Sequence, residues 1–347
     1  MKAGIFYETG KIGVEELEKP IAGDDEAIIR VCCAGICGSD VYAYLDNDRL
    51  TCVTQKGDHG ADGQFGHEVF GIVDSIGKNV KGINIGDPVF INPMTARRGG
   101  LTAGLSGGFS EYMRVEDPAY GYNMEKWDAT VSIDQAALLE PMSVATHGKN
   151  IARIAADDKV VILGGGAIGL CALSAVLNAG CKNPVVVDRH ENRLNIVKNM
   201  GGIPFDSSKD GNLTKFLMEN VGRTKTFFGM PVPDVDAYID CAGSTALLDE
   251  VLHAVKDKAR ISIVAGYSEP YPIDLSFLGT MQVEVYGSRA YDQADIEEAF
   301  KNIQGKKTDI DPIITHHFKL DDIKEAFETA KNRDSGAIKV MIDISEP

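Results

Sequence analysis

The chain has 347 residues, 44% hydrophobic and 25% charged, which is the profile of a globular protein long enough for two domains. Its formal net charge of −16 and pI near 4.9 exclude nucleic acid and anionic membranes as expected partners, because both call for a basic face. Seven cysteines, with Cys32 and Cys33 adjacent, suggest no disulfide framework, and "MKAGIFYETGK" at the N-terminus lacks the apolar run of a signal peptide. A reducing, cytoplasmic setting is expected.

The first 150 residues read as an all-β region with long loops. "AIIRVCCAGI", "EVFGIVDSIG" and "PVFI" are rich in β-branched and small residues, and glycines punctuate them. A polar excursion covers 46–64. From about 155 the pattern alternates. "KVVILG", "NPVVVD", "VDAYIDCAG" and "ARISIVAG" predict strands, separated by helices over "AIGLCALSAVLNAG", "ENRLNIVKNMG" and "STALLDEVLHAV". Such alternation implies βαβ units and a parallel sheet. The run over 160–180 is apolar enough to suggest a membrane span, but three consecutive glycines near its start favour a strand, a turn and a buried helix. Two amphipathic helices, "QADIEEAFKNIQG" and "LDDIKEAFETAKN", and a last strand, "AIKVMIDI", complete the chain.

"VVILGGGAIG" carries G-x-G-x-x-G as Gly164, Gly166 and Gly169, after a strand and opening a helix, with Asp188 placed 19 residues beyond Gly169 at the end of the next strand. That context is a dinucleotide-binding fingerprint. Gly164 allows the tight turn, Gly166 a close approach to pyrophosphate, and Gly169 close packing of the helix, whose N-terminus meets the phosphates. Asp188 suits the ribose hydroxyls of NAD and repels a 2′-phosphate, so NAD is expected over NADP. Arg189, next in the chain, tempers that preference.

"GHEVFGIVDSIG" sets His67 beside Glu68 but has Gly71 where a second helical histidine would stand, so it is not the H-E-x-x-H of zinc proteases. Hydride removal from an alcohol also requires loss of a proton from its oxygen, which a Lewis acid assists. Cys37 in "GICGSD", His67, Glu68 and Glu140 in "LLEPMS" form a thiolate, imidazole and carboxylate set that suits zinc.

The pieces "GICGSD", "GHEVFGIVDSIGKNV", "GDPVF", "GGFSEYMRV", "EPMSVATHG" and "GGGAIG" occur in an order that resembles the zinc-dependent medium-chain dehydrogenases, closest to the sorbitol and polyol branch. The resemblance implies an α/β protein: a chaperonin-10-like, β-rich catalytic domain from 1–150 and 290–347, and a doubly wound Rossmann domain over 151–289, with the active site in the cleft. It implies one catalytic zinc on Cys37, His67 and Glu68, with Glu140 binding directly or through water. Ser39 would accept the alcohol proton. Tyr42 stands where a relay histidine is common and is expected to shape the substrate pocket. Ile168, Arg193, Val264, Gly266 and Ser288 would line the cofactor, and Arg289 and Tyr291 the substrate. No cysteine lies in "INPMTARRGGLTAGLSGG", where relatives carry a four-cysteine structural zinc lobe, so that second zinc is excluded. The expected activity is NAD-linked oxidation of a secondary alcohol, a polyol, sugar or sugar derivative, by a homodimer or homotetramer paired through the strand near 281–286. The rival readings are a zinc-free alkene or quinone reductase of the same fold and a non-catalytic cofactor-binding protein.

Overall fold

The protein is described by a computed structural model covering residues 1–45, 63–96, 107–127 and 131–346. The chain divides into two compact units, Met1–Glu140 with Ile314–Pro347, and Pro141–Ile313.

The first unit contains β1 (Lys2–Glu8), β2 (Lys11–Glu16), β3 (Glu26–Gly35), α1 (Gly38–Leu45), β4 (Glu68–Ile76), β5 (Pro88–Ile91), β6 (Tyr112–Glu116), β7 (Met124–Lys126), α2 (Ile133–Ala137) and the start of α3 (Leu139–Ile151). The second holds β8 (Val160–Leu163), α4 (Ala167–Asn178), β9 (Val185–Asp188), α5 (Glu191–Met200), β10 (Ile203–Asp206), α6 (Leu213–Asn220), β11 (Arg223–Lys225), β12 (Pro231–Pro233), β13 (Ala237–Asp240), α7 (Thr245–Leu252), β14 (Arg260–Ile263), α8 (Leu275–Met281), β15 (Glu284–Gly287) and α9 (Gln293–Gly305). The chain then returns to the first unit with β16 (Ile314–Lys319), α10 (Ile323–Lys331) and β17 (Lys339–Asp343).

In the first unit a mostly antiparallel sheet runs in the order β16-β17-β3-β4-β5-β7, with β6 paired to β3. β3 is buried along nearly its whole length, which accounts for its unbroken apolar run. One core face gathers Phe6, Phe65, Phe109 and Phe327 edge to face. The last strand, β17, slots between β16 and β3, with Met341 opposite Gly35.

The second unit is a six-stranded parallel sheet in the order β10-β9-β8-β13-β14-β15. "VVIL" and "VVVD" are buried at every position, as strands covered on both faces must be. α4 is buried over most of its surface, and its uniform apolarity is that of a core helix. α5 ends at Gly201 in the left-handed conformation (φ 96°), which glycine adopts without strain.

Two expectations shift. The first 150 residues are not all β: "GSDVYAYL", "IDQAA" and "LEPMSVATHGKNI" are helices. The units part at 140 and 313, where the sequence suggested 150 and 290. The reason is that α3 and α9 are tied to each other by His147 Nδ1 to Asp295 Oδ2 at 2.7 Å and by Lys149 to Glu298 at 2.5 Å.

Candidate active site

β3 stops at Gly35, and the chain turns through Ile36 and Cys37 into α1. Asp40, in the first turn of α1, accepts a hydrogen bond from the Cys37 amide at 2.9 Å and so fixes the turn that presents the thiol. His67 and Glu68 arrive at the start of the neighbouring strand β4, where Glu68 is the cross-strand partner of Gly35. One ligand atom from each of Cys37, His67 and Glu68 lies within 4.8 Å of the other two. A tetrahedral zinc bonds sulfur at about 2.3 Å and nitrogen or oxygen at about 2.0–2.2 Å, so its donors stand roughly 3.5 Å apart. The trio fits such an ion after a small inward adjustment of side chains.

The imidazole's surroundings agree. His67 Nδ1 faces Asp40 Oδ1 at 3.5 Å, and both atoms are buried without a hydrogen-bond partner among the described residues. Burial works against a charged His67, but Asp40 and Cys37 outweigh it and hold its pKa well above the usual value. Burial in turn raises the Asp40 carboxyl. A pocket with this much negative charge favours a cation. Glu140, buried in the first turn of α3, adds to it: its charge is felt at both His67 and Lys339, though it lies outside the tight trio. Ser39 is half-buried in the first turn of α1, and Tyr42, one turn on, is 51% exposed.

The sequence reading gave no role to Asp40, Gly35 or Lys339. Lys339 is 3% exposed and donates to Glu68 Oε1 and Oε2, each at 2.6 Å, and to the Ile36 carbonyl at 3.1 Å. Burial alone would lower its pKa, but Glu68, Cys37 and Glu140 raise it, so the lysine is charged. Two further His–Asp groupings occur among the described residues. His147, Asp292 and Asp295 are accounted for by the capping box of α9 and its link to α3. Asp134, His317 and Asp343 lie at the surface, on and beside the edge strand β16, which carries His316 and His317.

In the second unit Gly164 takes φ +96° in the turn after β8. Gly166 is the N-cap of α4 with no side-chain cap, and a Cβ built there meets nothing closer than Arg193 Nη1 at 3.9 Å. That open cradle at a helix N-terminus fits a pyrophosphate. Gly169 owes its identity to the turn rather than to the sheet: a Cβ there would lie 1.7 Å from the Gly164 carbonyl oxygen. Asp188, at the end of β9, accepts from the amides of Gly165 (2.7 Å), Arg189 (2.7 Å) and His190 (2.9 Å), and lies 2.9 Å from His190 Nδ1 and 3.5 Å from Arg193 Nη1. Burial opposes its charge, yet the amides of His190 and Gly165 prevail and hold the carboxyl below its usual range. Ile168 is half-buried in the first turn of α4, Gly266 is exposed, and Val264 follows β14 with its amide on the Asp240 carbonyl. Ser288 Oγ is buried without a partner among the described residues, and Arg289 is exposed. Tyr291 is 8% exposed. His59, Arg97 and Arg98 lie outside the described residues.

The two units and their sites define a two-domain dehydrogenase architecture. Residues 23–122 match the alcohol dehydrogenase GroES-like domain, and residues 167–305 the zinc-binding dehydrogenase domain. The chain belongs to the zinc-dependent medium-chain dehydrogenase family. It is 27% identical to the D-xylulose reductase of Saccharomyces cerevisiae over 99% of this chain and 97% of that one. It is 24% identical to the sorbitol dehydrogenase of Bacillus subtilis with the same coverage. The fold matches the crystal structure of 2R,3R-butanediol dehydrogenase from Bacillus subtilis with a TM-score of 0.84 at 23% identity, covering 99% of both chains.

Proposed function

We propose that the protein is a zinc-dependent, NAD-linked dehydrogenase that oxidises a secondary alcohol of a polyol, sugar or sugar derivative. The observation that carries this reading is the convergence of Cys37, His67 and Glu68, in a chain that also holds the Gly164–Asp188 cradle. The relatives named for xylulose, sorbitol and butanediol support the substrate class.

Cys37, His67 and Glu68, with Glu140 beside them, would hold one zinc ion. When bound, zinc supplies Lewis acidity toward the alcohol oxygen and the nicotinamide supplies a hydride acceptor. Asp40 fixes the turn that carries Cys37 and faces His67 Nδ1, which would leave Nε2 to hold the metal. Ser39 Oγ, two residues beyond Cys37, takes up the proton that the alcohol loses. Tyr42 is a phenol at an exposed position and shapes the pocket mouth rather than carrying that proton. Asp188 binds the adenosine ribose and its negative charge selects NAD over NADP, with Arg193 over the adenosine. β15 forms one end of the parallel sheet, and its outer edge is the surface through which a second copy would pair.

The test is a panel of polyols and sugars offered with NAD to the purified protein. About one zinc per chain, NADH formation with at least one vicinal diol and loss of turnover on chelation are expected. Full turnover by zinc-free protein would overturn the reading.

A further inference from the structure

We infer that Lys339 is a positioning residue of the metal centre: it anchors Glu68 by both carboxylate oxygens and supplies the positive charge that lets several anionic donors share one divalent cation. The inference rests on the proposed metal site at Cys37, His67 and Glu68 and goes beyond it, since Lys339 lies 271 residues from its partner and touches no substrate.

The geometry is specific. Lys339 sits at the start of β17, two strands away from Glu68 on β4, with β3 between them. Its side chain reaches Glu68 where β3 ends, at Gly35 and Ile36. A Cβ built on Gly35 would lie 2.0 Å from Glu68 Oε2, so the carboxylate rests directly on the glycine backbone. An ammonium has three N–H donors, and here all three have acceptors: Glu68 Oε1, Glu68 Oε2 and the Ile36 carbonyl. Glu68 is thereby held from one side by Lys339 and from another by Gly35, and Glu68 still reaches the cluster with Cys37 and His67.

The charge count explains why the lysine is there. A thiolate from Cys37 and carboxylates from Glu68 and Glu140 around a divalent cation leave one surplus negative charge. A buried negative surplus weakens the metal as a Lewis acid and is costly in a low-dielectric pocket. The ammonium of Lys339 offsets this charge, in a pocket where the buried Asp40 beside His67 adds another carboxyl group. A buried lysine is tolerated because its partners are fixed and its donors are all satisfied.

The experiment compares wild type with Lys339→Met, Lys339→Arg, Glu68→Gln and the double variant Glu68→Gln/Lys339→Met, each loaded with cobalt(II) or zinc. Readouts are metal affinity by chelator competition and the cobalt visible spectrum. NADH binding and the thermal midpoint serve as folding controls. Lys339→Met is expected to lose roughly 10–100-fold in metal affinity, the range typical for outer partners of metal ligands, and to alter the cobalt spectrum. Lys339→Arg, which keeps the charge, is expected within about 3-fold of wild type. Because Lys339 acts through Glu68, adding Lys339→Met to Glu68→Gln should cost little more than Glu68→Gln alone. If Lys339→Met fails to fold, the neutral double variant carries the test, its metal affinity set against that of Glu68→Gln alone. A folded Lys339→Met with wild-type affinity and spectrum, or additive losses in the double variant, would overturn the inference. Wild-type protein with no metal at all would overturn the metal-site reading itself, and the inference with it.

Discussion

The Asp188 end of the second unit and the Glu68 end of the first each bury a carboxylate and stabilise its charge by opposite means. Asp188 is held by backbone amides from Gly165, Arg189 and His190, all within a short stretch of chain. Glu68 is held by one ammonium that arrives on the last strand of the protein. Amides are dipoles and cancel no charge, while the guanidinium of Arg193 stands off from Asp188 at 3.5 Å. An ammonium cancels charge outright, which is what a cluster crowded with Cys37, Glu68 and Glu140 requires. A contiguous motif therefore builds the proposed cofactor end, and long-range assembly builds the proposed metal end.

The sharpest way to break this comparison is to damage the contiguous motif alone. In Gly169→Ala the new methyl would meet the Gly164 carbonyl oxygen at 1.7 Å and its carbon at 2.8 Å, both backbone atoms that cannot step aside. The turn must open. NADH affinity, followed by cofactor fluorescence, is expected to fall by about 100-fold or more, with a loss of about 1–3 kcal/mol in the stability of the second unit. Zinc per chain should stay at the wild-type level, because every proposed ligand lies in the first unit. Retained tight NADH binding would show that this turn is not the phosphate cradle. A milder test replaces the charge and keeps the turn. Asp188→Ser is expected to weaken NAD by roughly 10-fold and to raise NADP use relative to NAD, measured as the ratio of kcat/KM values. An unchanged ratio would remove Asp188 as the selector.

The same contrast governs what the sequence disclosed. The turn at Gly164 was legible because Gly164, Gly166, Gly169 and Asp188 sit at fixed offsets around one strand–turn–helix, so spacing alone carries the geometry. Cys37, His67 and Glu68 were legible as residue types suited to zinc and through the family resemblance, and the structure groups them. Lys339 was not, since no local spacing links residue 339 to residue 68; the one signal was a lysine placed inside the apolar run "AIKVMIDI". Asp40 lay in view within "GICGSD", but its bond to the Cys37 amide depends on a helix start that the all-β reading of this region excluded. The same reading hid α3, whose first turn carries Glu140. The β11–β12 hairpin was missed because its strands are three residues each and two of those six residues are prolines, which read as turn.

The smallest expected effect lies in the "GDPVF" turn, where the first unit stabilises a carboxylate by both means at once. Asp87 accepts from the Asn84 amide (2.9 Å), the Tyr120 hydroxyl (2.7 Å) and Lys126 Nζ (2.5 Å). Burial pushes its pKa up, but Lys126, Tyr120 and the Asn84 amide outweigh it and bring the carboxyl down to about 2. The unfolded carboxyl titrates near ~3.9. A folded pKa below the unfolded one means that the contribution is complete above about pH 4 and is lost as pH falls through about 2. Lys126 is half-exposed, so solvent screens its share, and Asp87→Asn should cost about 1 kcal/mol at neutral pH. Trp127, the chain's one tryptophan, is buried beside Lys126 and packs edge-on against Phe70, so its fluorescence during urea unfolding reports on this unit. The gap between wild type and Asp87→Asn should narrow steadily from about pH 4 toward about pH 2. A gap that stays constant over that range would mean that the carboxylate's charge contributes nothing and that the turn is held by shape alone.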